Sequence, residues 1–347
     1  MEKTLLRNFL LLIFVLFICL FFGELVLRHT VQPYYGFPPG AFIMNNQTLE
    51  SNMTIKNVIG EYSLDYKPKP GFSGVFINEE RQDKYVNVRI NSNGFRDHEY
   101  AVEKLNDVKR IILIGDSVVM AEQVPLEETF AKIVEHDLGA KYQILNLGVS
   151  GYGTMDAFQF YKDVGEKYHP DMVIYFFTPN DLNDNFAKRY TIIDGERVSY
   201  ESKDLPGWFV RIKIYLYRKS ALLRTLYRAI KFDGNVNYDS VDLYAYYGGD
   251  KAWAGMEKII NEMKDYFKQE KVKFVVVRNP DPLSVYYNRD FGENQKLTSL
   301  GVELWNPKNL FVAHNNTELF YKIDKHMNKN GHELMAQFLY DKIKVVV

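Results

Sequence analysis

The stretch RIILIGDSVVMAEQVPLEETF, from Arg110 to Phe130, decides how the rest of the chain is interpreted. RIILI is typical of a buried strand, and PLEETF is typical of the start of a helix. Between them lie Gly115, Asp116 and Ser117. A serine at the end of a strand is most often a turn former or a helix cap. The alternative is a nucleophile presented at the edge of a sheet, and the other parts of the chain must distinguish the two.

The composition of the 347-residue chain excludes several classes of protein. Hydrophobic residues make up 46% and aromatic residues 15%, which is ample material for a core and excludes a disordered chain. The formal net charge of -1 argues against a nucleic-acid-binding protein, so we expect no nucleic-acid partner. Cys19 is the single cysteine, so the chain can form neither an internal disulfide nor a thiolate metal cluster.

The N-terminus carries a long apolar run. FLLLIFVLFICLFFG, from Phe9 to Gly23, contains no charge, and apolar residues on both sides extend it to the length of a bilayer-spanning helix. Lys3 and Arg7 precede the run, and no small-x-small cleavage site follows it. The pattern predicts an uncleaved transmembrane signal-anchor over residues 1–28, with the remaining chain outside the cytoplasm.

Residues 29–106 have irregular signals. GFPPG and YKPKPGFSG are rich in turn formers, whereas VFI and YVNVRI are typical of short strands. We expect a small β-rich segment between the membrane and the main domain.

From Val108 onward, strands and helices alternate. Four apolar segments predict strands, and helical patterns separate them. The four segments are KRIILI, YQILNL, DMVIYFF and KVKFVVV. This alternation implies a parallel sheet with helices on both faces, and ligands bind beyond the carboxyl ends of the strands in such sheets. Ser117 follows the first of these strands and would lie there.

An insertion interrupts the alternation over residues 185–249. Within it, FVRIKIYLYRKSALLRTLYRAIK, residues 209–231, carries seven basic residues and no acidic residue. An amphipathic basic helix of this kind could lie on anionic lipid headgroups or bind an anionic glycan. The simpler interpretation is a helix that packs over the sheet with its basic face in water.

Four short blocks fall at strand ends or before the last helix. They are GDS (115–117), NLGVSGYGT (146–154), TPNDLND (178–184) and DKHMNKNGH (324–332). In this order they resemble the SGNH (GDSL-type) hydrolase family, and NSNGFRD ahead of RIILIGDS is similar to its membrane-anchored or secreted bacterial branch. The resemblance implies a three-layer α/β/α domain over residues 107–347, with a five-stranded parallel sheet of the flavodoxin-like type.

The resemblance also implies a role for individual residues. Ser117 would be the nucleophile, His326 its general base and Asp324 the carboxylate that orients the imidazole. The backbone N–H groups of Ser117 and Gly151, with the side-chain amide of Asn180, would form the oxyanion hole.

Asp324 and His326 are two residues apart, which sets a condition on the backbone. Such residues share a face in an extended segment but not in a helix, so the last helix must begin after His326. Asn328 or Asn330 can cap it. His332 is a rival base, but it falls inside the predicted helix and is assigned a packing role. A metal site formed by the carboxylate and the two histidines lacks a supporting motif, and no nucleotide-binding motif is present, so we expect no cofactor.

The leading function is therefore a membrane-anchored serine esterase that cleaves an O-acyl ester outside the cytoplasm. The family and the location point to an acetyl group on a cell-envelope polysaccharide. An O-acyltransferase that modifies glycans would use the same site. A non-catalytic glycan-binding protein of the envelope is the third hypothesis, and the intact set of Ser117, Asn180, Asp324 and His326 argues against it.

Overall fold

A computed structural model describes most of the chain. The described residues are 2–30, 42–44, 66–78, 80–185, 190–193, 196–199, 249–314, 317–322 and 324–346, together with positions 212, 216, 220–223, 225 and 226. The predicted turn GFPPG and most of the basic stretch 209–231 lie outside them. The chain forms two compact units: residues 1–34 with 201–241, and residues 35–200 with 242–347.

The first unit contains a long N-terminal helix, α1 (Glu2–Thr30). Its segment Leu5–Arg28 is long and apolar enough to cross a membrane, and none of its most apolar part is buried in the protein. The predicted helix is therefore present. Its length and composition fit a membrane anchor or a signal sequence.

The strands all belong to the second unit. In chain order they are β1 (Phe42–Met44), β2 (Tyr66–Pro68), β3 (Ser73–Ile77), β4 (Tyr85–Arg89), β5 (Lys109–Gly115), β6 (Tyr142–Gly148), β7 (Met172–Phe177), β8 (Tyr190–Ile193), β9 (Glu196–Ser199), β10 (Lys273–Arg278) and β11 (Glu303–Trp305).

The helices of this unit follow the same chain order. They are α2 (Ser117–Met120), α3 (Phe130–Leu138), α4 (Thr154–Phe160), α5 (Asp181–Asp184), α6 (Gly249–Gln269), α7 (Pro282–Tyr286), α8 (Glu293–Ser299), α9 (Lys308–Ala313) and α10 (Lys329–Val346).

The central sheet has five parallel strands in the order β11-β10-β7-β5-β6. This is the flavodoxin-like order, in which the first strand along the chain lies between the second and the third. The predicted three-layer α/β/α fold with a five-stranded parallel sheet is confirmed. The apolar pattern predicts four of the five strands and misses β11. Only three residues of β11 pair with its neighbour, which is too short a run for the pattern to show.

Both faces of the sheet are buried. Ile112 and Ile114 of β5 point into one core cluster, whereas Ile111 and Leu113 point into the other. This alternation follows from the period of two in a strand. The first cluster includes residues of α4 and α6, and the second includes residues of α3 and α10. All six residues of β7 are buried, as expected for a central strand of a doubly covered sheet.

The order of strands places Ser117 at the point where the chain changes direction across the sheet. After β5 the chain continues to β6 on one side, whereas after β7 it continues to β10 on the other side. The connections that follow the neighbouring strands β5 and β7 therefore diverge, and in sheets of this kind such a point leaves a crevice at the carboxyl ends of the strands. Ser117 is the second residue after β5, so it stands beside that crevice.

Two helical segments are interrupted. The helix that PLEETF is predicted to start divides at Thr129, whose extended backbone (φ −75°, ψ 145°) ends a 3₁₀ turn and caps α3 through its hydroxyl. The segment that begins at Thr154 is α-helical only as far as Phe160 and continues as a π-helical turn. Apolar periodicity alone detects neither change.

The β-rich segment before the main domain packs against it through a buried arginine. The guanidinium of Arg96 donates to the carbonyl oxygens of Met120, Ala121 and Val124 at 2.8, 2.9 and 2.7 Å. Arg96 is 1% exposed, and burial lowers its pKa to about 10. Because a buried cation needs its hydrogen bonds, this arginine fixes the loop that follows α2.

Arg96→Met should lower the free energy of unfolding by about 3 kcal/mol, because three buried carbonyl groups lose their charged donor. Arg89→Met is the matched control, since Arg89 is exposed on β4, and its effect should stay within about 0.5 kcal/mol. Denaturant unfolding of both variants measures the difference. Equal effects of the two substitutions would contradict the structural role assigned to Arg96.

Candidate active site

Ser117 is the first residue of the short helix α2, directly after β5. The turn is tight: a Cβ atom on Gly115 would lie 2.8 Å from Cγ2 of Val119 and 3.3 Å from Cβ of Phe176. Asp116 caps the helix, because its Oδ1 accepts a hydrogen bond from the N–H of Val118 at 2.9 Å. A glycine and a capping aspartate therefore place the serine hydroxyl at the start of a helix, at the rim of the sheet.

The hydroxyl of Ser117 contacts the imidazole of His326. Its Oγ lies 2.7 Å from Nε2, although the two residues are 209 positions apart in the chain. This is hydrogen-bond distance, and it joins a potential nucleophile to a potential base. The structure thus brings together the two residues on which the sequence-based site depends most.

Asp324 lies on the other side of the same imidazole. Its Oδ2 is 3.1 Å from Nδ1 of His326, which makes an ion pair by distance when the ring is protonated. The contact is not aligned as a hydrogen bond, and neither atom bonds elsewhere within the described residues. Catalytic hydrogen bonds are often poorly aligned before substrate binds, and a small rotation of either side chain would align this one.

A tight turn carries the aspartate and the histidine. The N–H of Tyr321 donates to the carbonyl of His326 at 2.9 Å, and the N–H of Lys325 donates to the carbonyl of Tyr321 at 3.2 Å. Lys325, between the two site residues, has a φ of +68°, which is uncommon for a residue with a side chain. Because Asp324 and His326 flank this turned residue, the carboxylate of Asp324 comes within reach of the His326 imidazole.

The last helix begins after His326, as the two-residue spacing requires. It starts at Lys329, and Oδ1 of Asn328 accepts a hydrogen bond from the N–H of Gly331 at 3.1 Å. His332 lies inside this helix. Its Nδ1 accepts from the N–H of Phe130 at 3.3 Å, and its ring stacks on the Phe130 ring. Burial lowers the pKa of His332 to about 3, so this imidazole stays neutral.

The three predicted oxyanion donors differ in their surroundings. In the described turns and loops, the backbone N–H groups of Ser117 and Gly151 donate to no backbone carbonyl. The amide of Asn180 donates to Asp184 at 2.8 Å and to Asp116 at 3.4 Å. Asn180 therefore lies next to the helix cap of the serine, and its part in an oxyanion hole stays a prediction.

Glu122 is a buried carboxylate beside the site that the sequence analysis missed. It is 3% exposed; Oε1 accepts a hydrogen bond from the Ser150 hydroxyl at 2.6 Å, and Oε2 has no hydrogen-bond partner among the described residues. Ser150 precedes Gly151, so the carboxylate also holds the segment that carries this predicted donor. A glutamate in a loop is normally exposed. Its position within the apolar run VVMAEQV was the available signal.

Carboxylates dominate the electrostatics of His326. Burial alone would lower the pKa of the imidazole, but Asp324, followed by Glu122 and Asp116, raises this pKa to about 9. About a quarter of the side chain is exposed, so water screens part of these charges. The isolated imidazole would lose its proton near pH 6.5, whereas the ring in this site holds it into the alkaline range.

A buried polar network lies behind the serine loop. Asp181 accepts hydrogen bonds from the Tyr175 hydroxyl at 2.6 Å and from the N–H of Thr178 at 2.9 Å. Burial, with the nearby charge of Asp116, raises the pKa of Asp181 well above its usual range.

Among the described residues no group of three histidine, cysteine, aspartate or glutamate side chains could hold a metal ion.

Comparison with known proteins gives structural neighbours only. No protein-family model and no curated protein matches the chain. A G-D-S-L family lipolytic protein from Desulfitobacterium hafniense covers 67% of this chain and 98% of its own, at 11% identity and a TM-score of 0.41. The alignment with an acetyl xylan esterase covers 67% of this chain and 99% of the esterase, at 13% identity and a TM-score of 0.40. The alignment with a lipase/acylhydrolase from Enterococcus faecalis covers 69% of this chain and 96% of that protein, at 15% identity and a TM-score of 0.40. Similarity at this level does not carry a function from one protein to another.

The two histidines should titrate very differently. In the full chain with isotope-labelled histidine, the ring signals of His326 should change with a midpoint near pH 9, because three carboxylates stabilise its protonated form. The signals of His332 should stay those of a neutral ring down to about pH 3. His326→Gln and His332→Gln assign the resonances. A midpoint for His326 close to 6.5 would show that the carboxylates do not act on it.

Proposed function

We propose that the chain is a serine esterase of the SGNH type, which hydrolyses an O-acyl ester through an acyl-enzyme on Ser117. The observation that carries this proposal is the 2.7 Å contact between the Ser117 Oγ and the His326 Nε2, with Asp324 at 3.1 Å from the opposite nitrogen. A serine hydroxyl is a weak nucleophile until a base accepts its proton, and this arrangement supplies both the base and its orienting carboxylate.

In this mechanism, neutral His326 takes the proton from Ser117 as Oγ attacks the carbonyl carbon of the ester. The negative charge that forms on the carbonyl oxygen is stabilised by the N–H groups of Ser117 and Gly151 and by the amide of Asn180. Loss of one such donor typically costs roughly 10²–10³ in rate. The imidazolium, stabilised by Asp324, gives its proton to the departing alcohol oxygen, and water then hydrolyses the acyl-enzyme with the same base.

In our proposal, the chain hydrolyses its ester substrate outside the cytoplasm, at the membrane. The segment Leu5–Arg28 of α1 would anchor the chain, and its length, apolar composition and exposure support this role. We further infer an acetylated polysaccharide of the cell envelope as the substrate. The mechanism requires no metal or other cofactor, since the nucleophile, base and oxyanion donors are all groups of the chain.

A fluorophosphonate probe should label Ser117 in the full chain, because the probe reacts with a serine that a neighbouring base activates. Ser117→Ala and His326→Ala should both lose labelling and the release of p-nitrophenol from p-nitrophenyl acetate. Ser299→Ala is the control, because Ser299 is exposed and its hydroxyl donates to the carbonyl of Lys296, and this variant should still be labelled. Unlabelled wild-type protein would favour the non-catalytic hypothesis.

The rate should rise with pH through the alkaline range, because only neutral His326 can accept the proton and its pKa is about 9. Glu122→Gln removes one of the carboxylates that raise this pKa, so the rising limb of kcat/KM against pH should move to lower pH. Glu127→Gln is the control, since the side chain of Glu127 is 70% exposed. The rising limb of kcat/KM of this variant should stay at the pH of the unmodified chain. A limb unmoved by Glu122→Gln would show that Glu122 has a purely structural role.

A further inference from the structure

Glu24 of α1 holds the start of a helical segment in the insertion, within the first compact unit. Its Oε1 accepts a hydrogen bond from the N–H of Ala221 at 2.9 Å, and its Oε2 accepts from the N–H of Leu222 at 2.9 Å and from the Ser220 hydroxyl at 2.8 Å. These N–H groups have no partner within their own helix, and a negative charge is favourable at a helix start. Glu24 therefore attaches the segment to α1 near the end of its apolar stretch.

The helical residues of this segment divide into a covered side and an exposed side. Ala221 is fully buried, whereas four large apolar side chains are exposed. These are Ile212 (47%), Leu216 (43%), Leu223 (38%) and Leu226 (49%). The first two are four residues apart and the last two are three apart, so each pair shares one helix face. Exposed apolar faces of this kind mark contact with a protein or a membrane.

The charge of the stretch distinguishes between these partners. Residues 209–231 contain seven basic residues and no acidic one. A second copy of the same stretch would bring two basic surfaces together, and this contact would be repulsive. Anionic lipid headgroups attract basic residues at roughly 1 kcal/mol for each lysine or arginine near the surface. Apolar side chains beside basic ones are the composition of a helix that lies in the membrane interface.

We propose that the described positions of this segment, from Ile212 to Leu226, belong to a second membrane contact, which lies in the interface of the bilayer that α1 enters and binds anionic phospholipid. Ile212, Leu216, Leu223 and Leu226 insert at the acyl boundary, and the positive charge of the stretch attracts the anionic headgroups. This inference rests on the proposed membrane attachment of α1. Glu24 belongs to the last turns of the span Leu5–Arg28, where a bilayer-spanning helix emerges into the interface, so the segment that it caps starts at that depth.

The test uses the full chain in vesicles that contain phosphatidylglycerol. With Cys19→Ser as background, a single cysteine at Leu216 or Leu223 carries an environment-sensitive NBD fluorophore. Its emission should shift to the blue, and lipids with brominated acyl chains should quench it. The control is Val345→Cys, an apolar position that is 85% exposed in the other unit, whose label should show neither change. In phosphatidylcholine vesicles the quenching at Leu216 and Leu223 should be weaker.

Water-like emission at both positions overturns the inference. A blue shift without quenching by brominated lipid also overturns it, because a protein then covers the face. Equal quenching in phosphatidylcholine overturns the part assigned to anionic headgroups. Labelling of the native Cys19 distinguishes failure of the second membrane contact from failure of the α1 anchor. If Cys19 of the unmodified chain is protected from a charged maleimide in vesicles while the labels at Leu216 and Leu223 stay water-like, α1 is inserted and the second contact alone is wrong.

Discussion

The contact between the Ser117 hydroxyl and the His326 imidazole is the constraint on which the rest of the site depends. Two segments that are 209 residues apart must bring their side chains to 2.7 Å. The serine side is fixed by β5 in the middle of the sheet and by the helix cap of Asp116. The histidine side is fixed by a turned segment ahead of α10, which packs on the same sheet. An error of about 1 Å on either side would separate the imidazole from the hydroxyl.

The segment before the main domain braces both sides of this contact. Arg96 holds the backbone that follows the serine helix. Glu80 accepts hydrogen bonds from the N–H groups of Lys322 at 2.6 Å and Asp324 at 3.2 Å, and thereby holds the turn that carries the carboxylate and the base. Burial of Arg96 and these charge-assisted hydrogen bonds tie the segment to the geometry of the candidate site. We therefore regard residues 66–100 as part of the site's support rather than as a spacer.

Local patterns in the sequence predicted four strands of the sheet, whereas the roles of Ser117 and His326 came from the family resemblance and stay predictions. Buried strands such as DMVIYFF are continuous apolar runs. The two-residue spacing of Asp324 and His326 required a non-helical backbone, and the structure supplies it as a turn with Lys325 at a φ of +68° and not as an extended segment. The fifth strand came only from the family resemblance, since a three-residue strand has no periodicity to detect. Glu122 was missed because its burial depends on the loop that Arg96 holds and on Ser150 from another loop. Such contacts are tertiary, and no sequence spacing encodes them.

The central claim is that Ser117 attacks an ester carbonyl with His326 as its base, so the acyl-enzyme is its most direct evidence. Mass spectrometry of the full chain, quenched with acid during turnover of p-nitrophenyl acetate, should find one acetyl group on the peptide that contains Ser117. His326→Ala should show none at the same time point. An acetyl group on another residue, or turnover with no acetylated peptide at any time point, would contradict the account.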